Sequence, residues 1–285
     1  MPRISIIIPT YNHSEYIGAA IDSVLAQTFK DWELIIVNNY STDDTEEKVK
    51  AYKDSRICLV NYSNDGIVAR SRNYGISLAH GELLAFLDSD DIWLPQKLAV
   101  QVAALMRNSD LLGVCSAMRL FPGEVRTPLV KILSHRLTYH SQLFRNKVYN
   151  SSVMIRREAW RLVGTLNDNP RLRTIEDYEY WLRILRLRNR SILFQDQVLV
   201  RYRVSHGNLS GIGRAKDINS EIDRFDFLMS LQPSKYHQIV LKFRRKEIDA
   251  INYYLARRGQ GGIIGKFWFA VSNSLRQFWY RSISR

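Results

Sequence analysis

Three carboxylates fall within four residues of the stretch "FLDSDDIW", in which Asp88, Asp90 and Asp91 follow an apolar run. Like charges this close repel each other and raise one another's pKa unless a cation joins them. Proteins often hold hard divalent cations with one or two carboxylates and the phosphates of a substrate. Asp88-Ser89-Asp90 therefore predicts a metal–diphosphate site. The alternative is a solvated turn that caps the helix opened by Pro95, and the cluster alone does not decide between the two.

A second pair of carboxylates, Glu176 and Asp177, stands in "IEDYEYWL" at the start of a segment with helical periodicity. A carboxylate that reaches a substrate hydroxyl takes its proton as a general base. Two acidic residues in a first turn also stabilise a helix through its dipole. On the pair alone, the second interpretation is the simpler one.

The stretch "IIVNNYSTDDT" (35–45) ends an apolar run in the amides of Asn38 and Asn39. Each amide offers an acceptor oxygen and an NH₂ donor, which suits it to read the edge of a ligand. The alternative is that residues 38–45 form only a loop, with Ser41 to Asp44 capping the next helix.

The elements that must position these side chains alternate along the first 118 residues. Strands are predicted at 3–9, 32–38, 56–62, 83–88 and 111–117, and helices at 14–27, 44–53, 67–79 and 95–107. Such alternation with apolar strands predicts a parallel sheet that is covered on both faces. Ligands bind these sheets beyond the carboxyl ends of the strands, which is where the polar clusters fall.

Beyond residue 118 the pattern is less regular. Residues 119–149 lack a clean period and predict an irregular segment. A strand is expected at 151–157, helices at 157–164 and 175–189, and one or two strands at 191–204. From about residue 211 the pattern is helical to the end.

Composition indicates a globular protein with one large domain, or one domain and an extension, since the 285 residues are 46% hydrophobic and 24% charged. No apolar run approaches the roughly 20 residues of a membrane-spanning helix. The N-terminus, "MPRISIIIPT", lacks the apolar region and cleavage site of a signal peptide. Cys58 and Cys115 both lie in apolar runs, and we expect buried thiols in a reducing, cytoplasmic setting.

The net charge of +13 is unevenly distributed, because residues 1–110 sum to −5 and residues 111–285 to +18. A basic C-terminal part favours an anionic partner: nucleic acid, anionic lipid or a phosphorylated substrate. A solvated basic surface is the alternative. No segment has the spacing of a nucleic-acid-binding module, so we expect no nucleic acid partner.

An aromatic-rich apolar arc near the C-terminus predicts an amphipathic helix followed by basic residues. Its members are Ile264, Phe267, Trp268, Val271, Leu275, Phe278 and Trp279. Such a helix suits a membrane interface, where basic residues add attraction to anionic lipid or to a lipid diphosphate. The alternative is that it packs on the chain's own catalytic domain. The basic cluster "KFRRKE" (242–247) is expected to be a solvated helix face.

Four segments occur in the order "SIIIPTYNHSEYIGAAIDSVLAQTFKDWELIIVNNYSTDDT", "ARSRNYGISLAHGELLAFLDSDD", "IEDYEYWLR" and "YRVSHGNLS". Together they resemble the inverting family 2 glycosyltransferases with the GT-A fold, over roughly residues 3–210. The resemblance implies an α/β/α sandwich with a mostly parallel central sheet as catalytic domain (1–210). Residues 1–118 would form its nucleotide-sugar half and 119–210 its acceptor half, followed by a basic helical extension (211–285).

By this resemblance, Asp90 binds Mg²⁺ or Mn²⁺ that bridges the donor diphosphate. Asp88 holds the ribose and a metal-bound water, and Ser89 lies between them. A metal there acts as a Lewis acid toward the leaving diphosphate. His206 resembles the family's histidine near the diphosphate or the metal, and Arg203 is a neighbour that shares this role; a surface histidine is the alternative.

Arg72, in "ARSRN", is similar to the family's arginine near the donor, where a guanidinium suits a phosphate or a base edge. A surface helix arginine is the alternative, and Arg70 is the other candidate. Pro9, Thr10 and Tyr11 match the loop under the nucleotide base, where the Tyr11 ring stacks on the base or packs on the second strand.

The resemblance makes Asp177 the general base that takes the proton of the acceptor hydroxyl. Glu176 then orients Asp177 or contacts the acceptor. Tyr178 and Trp181, further along the same segment, are expected in the core or in the wall of the acceptor site.

One stretch departs from the family pattern, which commonly reads Val-Asp-Asp-Gly-Ser where this chain has Val37-Asn38-Asn39-Tyr40-Ser41. In the family, the second acidic residue accepts the imide N–H of the base. Asn39 can accept that bond through its carbonyl oxygen, so we expect a UDP- or dTDP-sugar, although the change puts the base in doubt. Tyr40 in place of glycine should make a positive φ less accessible to this turn.

The resulting prediction is a metal-dependent, inverting transfer of a sugar from a nucleotide-diphosphate sugar to a hydroxyl of a glycan or lipid-linked acceptor. The enzyme would be cytoplasmic and peripheral on the inner face of the membrane. One alternative is a non-catalytic nucleotide-sugar or glycan-binding protein of the same fold, motivated by Asn38–Asn39. Another is a nucleic-acid-binding protein, whose binding would weaken with salt.

Overall fold

A nine-stranded sheet forms the centre of the part of the chain that the computed structural model describes, namely residues 2–122, 133–144, 146–204 and 218–231. The strands are β1 (Ile4–Thr10), β2 (Trp32–Asn38), β3 (Ile57–Asn61), β4 (Leu83–Phe86), β5 (Ile92–Trp93), β6 (Gly113–Phe121), β7 (His135–Leu137), β8 (Val153–Arg156) and β9 (Ile192–Arg203). Their order across the sheet is β3-β2-β1-β4-β8-β6-β9-β5, and β7 pairs with β9.

Six of the nine strands run in one direction, which agrees with the mostly parallel sheet that the sequence predicts, but β8 in the middle of the sheet is reversed, as are β5 and β7, which pair with β9. β3, β2, β1 and β4 are parallel neighbours. β8 is antiparallel to both β4 and β6, so β6 runs in the same direction as β4. β9 is parallel to β6. The reversed strand β8 therefore begins at the edge of the sheet where β1 to β4 end.

Helices cover both faces of the sheet. They are α1 (Ile17–Leu25), α2 (Thr45–Lys50), α3 (Val68–Leu78), α4 (Lys97–Arg107), α5 (Tyr139–Phe144), α6 (Arg157–Val163) and α7 (Glu176–Leu187), with short 3₁₀ helices at Asn150–Ser152 and Pro170–Leu172. Side chains of α1 and α4 share one core with Ile6 of β1, whereas those of α3 and α7 share the other with Ile7. Successive strand residues point to opposite faces, so β1 is buried on both. The predicted α/β/α sandwich is confirmed.

Several local predictions were wrong. Residues 119–149, expected to be irregular, contain the end of β6 as well as β7 and α5, although 123–132 and 145 lie outside the described residues. The two-residue strand β5 was missed. Cys115 is buried as expected, but Cys58 is exposed because β3 is at the end of the sheet order and has one neighbouring strand.

The chain divides into two compact units, residues 1–213 and 214–285. The second contains the helix α8 (Ile218–Ser230). The predicted amphipathic helix at 264–279 and the basic cluster at 242–247 lie outside the described residues. Among the residues that are described, none of the helices combines the length and apolar character needed to cross a membrane.

Gly81, in the turn before β4, lies directly against the start of β1. Its N–H donates to Ser5 Oγ at 2.8 Å, and a Cβ there would lie 2.6 Å from Ser5 N. We expect Gly81→Ala to lower the free energy of unfolding by about 1 to 3 kcal/mol, because the backbone of β1 must shift to admit the methyl group.

Gly18→Ala in α1 is the matched control for this substitution. Its added Cβ would meet Tyr52 Oη at an ordinary 3.6 Å. Replacing a helix glycine by alanine should raise the free energy of unfolding by about 0.5 to 1 kcal/mol. Urea unfolding measures both variants, and equal stability of the two would contradict the close approach at Gly81.

Candidate active site

The polar ends of neighbouring strands meet at one edge of the sheet. Thr10, Asn38 and Asn61 are level in the registers of β1, β2 and β3. Leu87 N donates to Ile7 O at 3.1 Å, which continues the pairing of β4 with β1 and leads directly into Asp88. The sheet thus brings the predicted amide and carboxylate clusters to the same edge.

The acidic loop after β4 is held in place by the second half of the chain. Asp91 is buried, and its carboxylate accepts Ser151 Oγ–H at 2.5 Å and the Arg203 backbone N–H at 2.8 Å. Ser151 Oγ also accepts the backbone N–H of Asp88 at 3.1 Å, and Arg203 Nε donates to Asp90 O at 2.9 Å. Burial, followed by the charges of Asp88 and Asp90, raises the pKa of Asp91 well above its usual range. The loop is a fixed structure rather than a solvated turn.

Arg72 joins the two carboxylate clusters. Its side chain is 4% exposed and donates through Nη1 to Glu176 Oε1 at 2.6 Å and through Nη2 to Asp88 Oδ1 at 2.8 Å. Despite the burial, the charges of Asp88 and Glu176 raise the pKa of Arg72, so it stays a cation. Arg70, the other candidate, lies at the surface and pairs with Asp65 and Asp168.

Asp177, next to Glu176 at the start of α7, has a strongly shifted pKa. Burial and then the charge of Glu176 raise the pKa of Asp177 to about 7, while Arg72 opposes the shift. Its Oδ1 accepts the Tyr178 N–H at 2.7 Å, and Asn146 Nδ2 lies 3.4 Å from Oδ2. A carboxyl with a pKa near the working pH is well matched to general base catalysis.

Asn38 has a structural role at the end of β2. Its Oδ1 accepts from Ser41 N at 3.1 Å and Ser41 Oγ at 2.6 Å, and its Nδ2 donates to Asn61 Oδ1 at 2.8 Å and Glu46 Oε2 at 3.3 Å. Two residues after Asn38, Tyr40 adopts φ 54°. The turn therefore adopts a positive φ although a tyrosine makes it less accessible than a glycine would, at a cost of about 1 to 2 kcal/mol.

Of Ser41 to Asp44, which were expected to cap the next helix, Asp44 is the N-cap residue and makes no side-chain capping bond, whereas Asp43 does bond to the first residue of the helix. Asp43 Oδ1 accepts from Thr45 N at 3.1 Å at the start of α2, and its Oδ2 accepts from Ser14 N at 3.0 Å. Against the effect of burial, a bond from Thr45 Oγ1–H at 2.5 Å, together with these two, lowers the pKa of Asp43 to about 2. Asp43 therefore ties the loop before α1 to α2.

Pro9, Thr10 and Tyr11, which were predicted to lie under the base, form the end of β1 and the start of the loop that follows it. Pro9 is buried within the strand, and Tyr11 is 52% exposed, with its ring open to a ligand. Thr10 is 5% exposed, and its Oγ1 has no partner in the described residues. Asn39 N donates to Thr10 O at 2.9 Å, which places the two residues side by side.

Three residues at the site were not singled out from the sequence: His13, Asn146 and Ser151. His13 Nδ1 lies 2.6 Å from Ser89 Oγ, and burial lowers its pKa although Asp88 and Asp43 oppose the shift. Its position two residues after Tyr11 in the loop after β1 was the available signal. Asn146 and Ser151 lie in or next to the irregular segment and gave none. His206 lies outside the described residues.

The acidic loop fits a divalent cation by the chemistry of its donors. Burial, and next the charge of Asp88, raise the pKa of Asp90 to about 6. A bound cation would lower this pKa again. In the described part of the chain, no three His, Cys, Asp or Glu side chains are grouped to hold a metal alone. Two carboxylates instead suit Mg²⁺ or Mn²⁺ that takes its remaining ligands from phosphate and water. Asp88 and Asp90 are the residues that would hold it.

Comparison with known proteins agrees with this fold. The family model "Glycosyl transferase family 2" matches residues 5–166. The chain is 30% identical over 228 residues to the Escherichia coli UDP-Glc:alpha-D-GlcNAc-diphosphoundecaprenol beta-1,3-glucosyltransferase WfgD, covering 77% of this chain and 84% of that protein.

Two solved structures share the fold at low sequence identity. TarS of S. aureus in complex with UDP-GlcNAc has a TM-score of 0.65 at 18% identity, over 85% of this chain and 70% of that one. The mannosyltransferase PcManGT of Pyrobaculum calidifontis, in complex with GDP-Man and Mn²⁺, has a TM-score of 0.66 at 19% identity, over 96% and 80%. The fold is therefore that of the GT-A glycosyltransferases. The chain belongs to glycosyltransferase family 2 and is an enzyme of that class.

Removing Arg72 should expose how much the site depends on it. We expect Arg72→Met to lower the free energy of unfolding by about 3 to 5 kcal/mol, because Glu176 is left as a buried charge without its cation. Arg70→Met on the same helix is the control, and breaking its exposed ion pairs should cost about 1 kcal/mol or less. Urea unfolding of both variants tests this, and equal losses would show that the bridge is not a buried charge pair.

Proposed function

We propose that the chain transfers a sugar from a nucleotide-diphosphate sugar to a hydroxyl of a glycan or lipid-diphosphate acceptor, with metal dependence and inversion of the anomeric configuration. The observation that carries this proposal is the buried bridge of Arg72 between Asp88 and Glu176. This bridge links the loop of Asp88 and Asp90 to the start of α7, and the raised pKa of Asp177, about 7, supports a role for Asp177 as general base.

The donor end of the proposed site is the edge formed by β1, β2 and β4. Asp88 and Asp90 would hold Mg²⁺ or Mn²⁺, which would neutralise charge on the leaving diphosphate. WfgD uses UDP-Glc by its name, and the two solved structures hold UDP-GlcNAc and GDP-Man. These relatives support a nucleotide-sugar donor for this chain. The sequence-based preference for uracil or thymine assumes an acceptor atom at Asn39.

The acceptor end is the start of α7. Asp177 takes the proton of the acceptor hydroxyl, and that oxygen forms a bond with the anomeric carbon of the donor sugar. The bond from this carbon to the diphosphate breaks, and the diphosphate leaves with the electron pair. Attack opposite the leaving group inverts the configuration in one displacement. Glu176 and Arg72 are positioning residues that hold Asp177 against the donor end.

The acceptor and the location rest on charge and on similarity. Residues 111–285 carry a net charge of +18, which favours an anionic acceptor or surface. WfgD acts, by its name, on a GlcNAc-diphosphoundecaprenol. Both observations support a lipid-diphosphate acceptor used in polysaccharide biosynthesis of the cell envelope. We place the enzyme in the cytoplasm, peripheral on the inner face of the membrane.

Asp177→Asn tests the proposed base. We expect kcat for sugar transfer to fall about 10² to 10⁴-fold, because the amide cannot take the hydroxyl proton. Nucleotide binding should persist, since the donor end is unchanged. The control is Glu179→Gln in the same helix, which loses only its bonds to Arg183. Transfer of a radiolabelled sugar measures the effect, and full activity of Asp177→Asn would remove Asp177 from the mechanism.

The pH profile of kcat/KM gives a second test of the same group, because it reports the ionisations of the free enzyme. Asp177 must be deprotonated to act, so kcat/KM should rise with pH through an apparent pKa of about 7. Glu176→Gln removes a negative charge that raises this pKa, so the acid limb should move to lower pH. The profile of Glu179→Gln should keep the wild-type limb. An acid limb that stays in place in Glu176→Gln would contradict the assignment.

A further inference from the structure

The carboxylate of Asp177 is approached by a side chain from the segment that follows α5. Asn146 Nδ2 lies 3.4 Å from Asp177 Oδ2, which is long for an N–H···O bond. Among the described residues, this carboxylate is the one acceptor that the Asn146 NH₂ group reaches. The other hydrogen bond to Asp177 in that part of the chain comes from the Tyr178 N–H to Oδ1. The two donors therefore lie against different oxygens of the carboxylate.

The direction of the Asn146 amide is fixed by the bonds to its oxygen. Oδ1 accepts the Val148 backbone N–H at 3.2 Å and Gln142 Nε2–H at 2.7 Å. Gln142 is fully buried, and its own oxygen accepts the Lys147 backbone N–H at 3.1 Å, so this amide cannot be reversed without setting two donors together. A reversed Asn146 would lose both of its bonds and turn its oxygen toward a carboxylate. The NH₂ group of Asn146 must therefore face Asp177.

The segment that carries Asn146 is attached to both ends of the site. Tyr178 Oη lies 2.7 Å from Gln142 O and 2.9 Å from Leu143 O, which ties the end of α5 to the start of α7. Further along the same segment, Ser151 contacts the acidic loop at the donor end. Asn146 lies between these two attachments, so it approaches α7 from a fixed position.

We propose that Asn146 is a positioning residue, whose NH₂ group donates to the ionised carboxylate of Asp177 and holds it in one orientation for the acceptor hydroxyl. The terminal torsion of an aspartate is broad, so a carboxylate bonded through one oxygen alone can turn. A second donor on the other oxygen fixes its plane. Hydrogen bonds to an ionised acceptor are stronger and shorter than those to a neutral one, so Asn146 acts chiefly on the deprotonated form. The inference deepens the proposed function and rests on it, since it takes Asp177 as the base.

The groups around Asp177 give the effect of Asn146 a definite sign. Burial, then the charge of Glu176 in the same helix, raise the pKa of Asp177; Arg72 of α3 lowers it, and Asp88 of the acidic loop adds to the rise. The neutral Asn146 favours the ionised form through its N–H. Loss of this donor should raise the pKa of Asp177 further, whereas mere loosening of the segment would admit water and lower the pKa. The two roles thus predict opposite shifts.

The test is a pH titration of the full chain, without substrate, followed by ¹³C NMR of labelled aspartate carboxyl groups. The signal of Asp177 is identified by its absence from Asp177→Asn. We expect Asn146→Ala to raise the pKa of Asp177 by about 0.5 to 1, because the donor to the ionised form is lost. Asn146→Asp should raise the pKa at least as much, since a second carboxylate then faces the first. In Asn146→Ala the acid limb of kcat/KM for sugar transfer should move with this pKa, and its pH-independent limit should fall about tenfold.

Asn189→Ala is the matched control. Asn189 Oδ1 accepts the Tyr139 backbone N–H at 3.0 Å at the start of α5, so this variant removes an amide bond to the same helix at its other end. The pKa of Asp177 and kcat/KM should both stay as in the wild type.

Each outcome decides between the inference and the function beneath it. A pKa of Asp177 that stays or falls in Asn146→Ala, that is unchanged in Asn146→Asp, or that rises equally in Asn189→Ala overturns the role of Asn146 and leaves Asp177 as the base. A rise seen by NMR while the acid limb of kcat/KM stays in place shows that Asp177 is not the base, and it overturns both proposals. A parallel rise confined to the Asn146 variants supports the assignment.

Discussion

A single buried guanidinium holds the site together. Arg72 is shielded from water and is bonded at once to Asp88 and to Glu176. A charge in such a position is stable only when it is paired and hydrogen-bonded, and the same holds for the buried carboxylate of Glu176. The two ends of the site therefore cannot move apart without leaving charges buried and unpaired. Arg72 Nε and Glu176 Oε2 are buried and have no hydrogen-bond partner in the described residues.

The reversed strand β8 explains how the second half of the chain reaches the acidic loop. If every strand were parallel, each would end at this edge, and none would begin there. Because β8 is antiparallel to β4, it starts beside the end of β4, and Ser151 just before it contacts both Asp88 and Asp91. β9 runs with β6 and ends at the same edge, which brings Arg203 to Asp91. Residues distant in sequence thus fix the geometry of "DSDD".

The sequence predicted those parts of the molecule that depend on local pattern. The apolar runs of β1 to β4 and the polar residues that follow them located the edge of the sheet and its carboxylates. Contacts between distant segments were not predictable, because nothing in "NSS" at 150–152 indicates a bond to Asp91. The resemblance singled out Asn39 as a residue that contacts the base, but nothing in the sequence indicated which bonds either amide makes within the protein. The structure separates them by their partners: Asn38 closes the turn, and Asn39 has a free NH₂ among the described residues.

The central claim is that the edge of the sheet at Asp88–Asp90 is the donor end of a transferase site. Titration of Mn²⁺ followed by electron paramagnetic resonance, with and without a nucleoside diphosphate, tests it most directly. Two carboxylates, with no third protein ligand grouped with them in the described residues, predict weak Mn²⁺ binding to the protein alone and much tighter binding once the nucleotide is added. Asp90→Ala should abolish this difference. Nucleotide binding that is the same with Mn²⁺ and with a chelator, or that is unaffected by Asp90→Ala, would contradict the account.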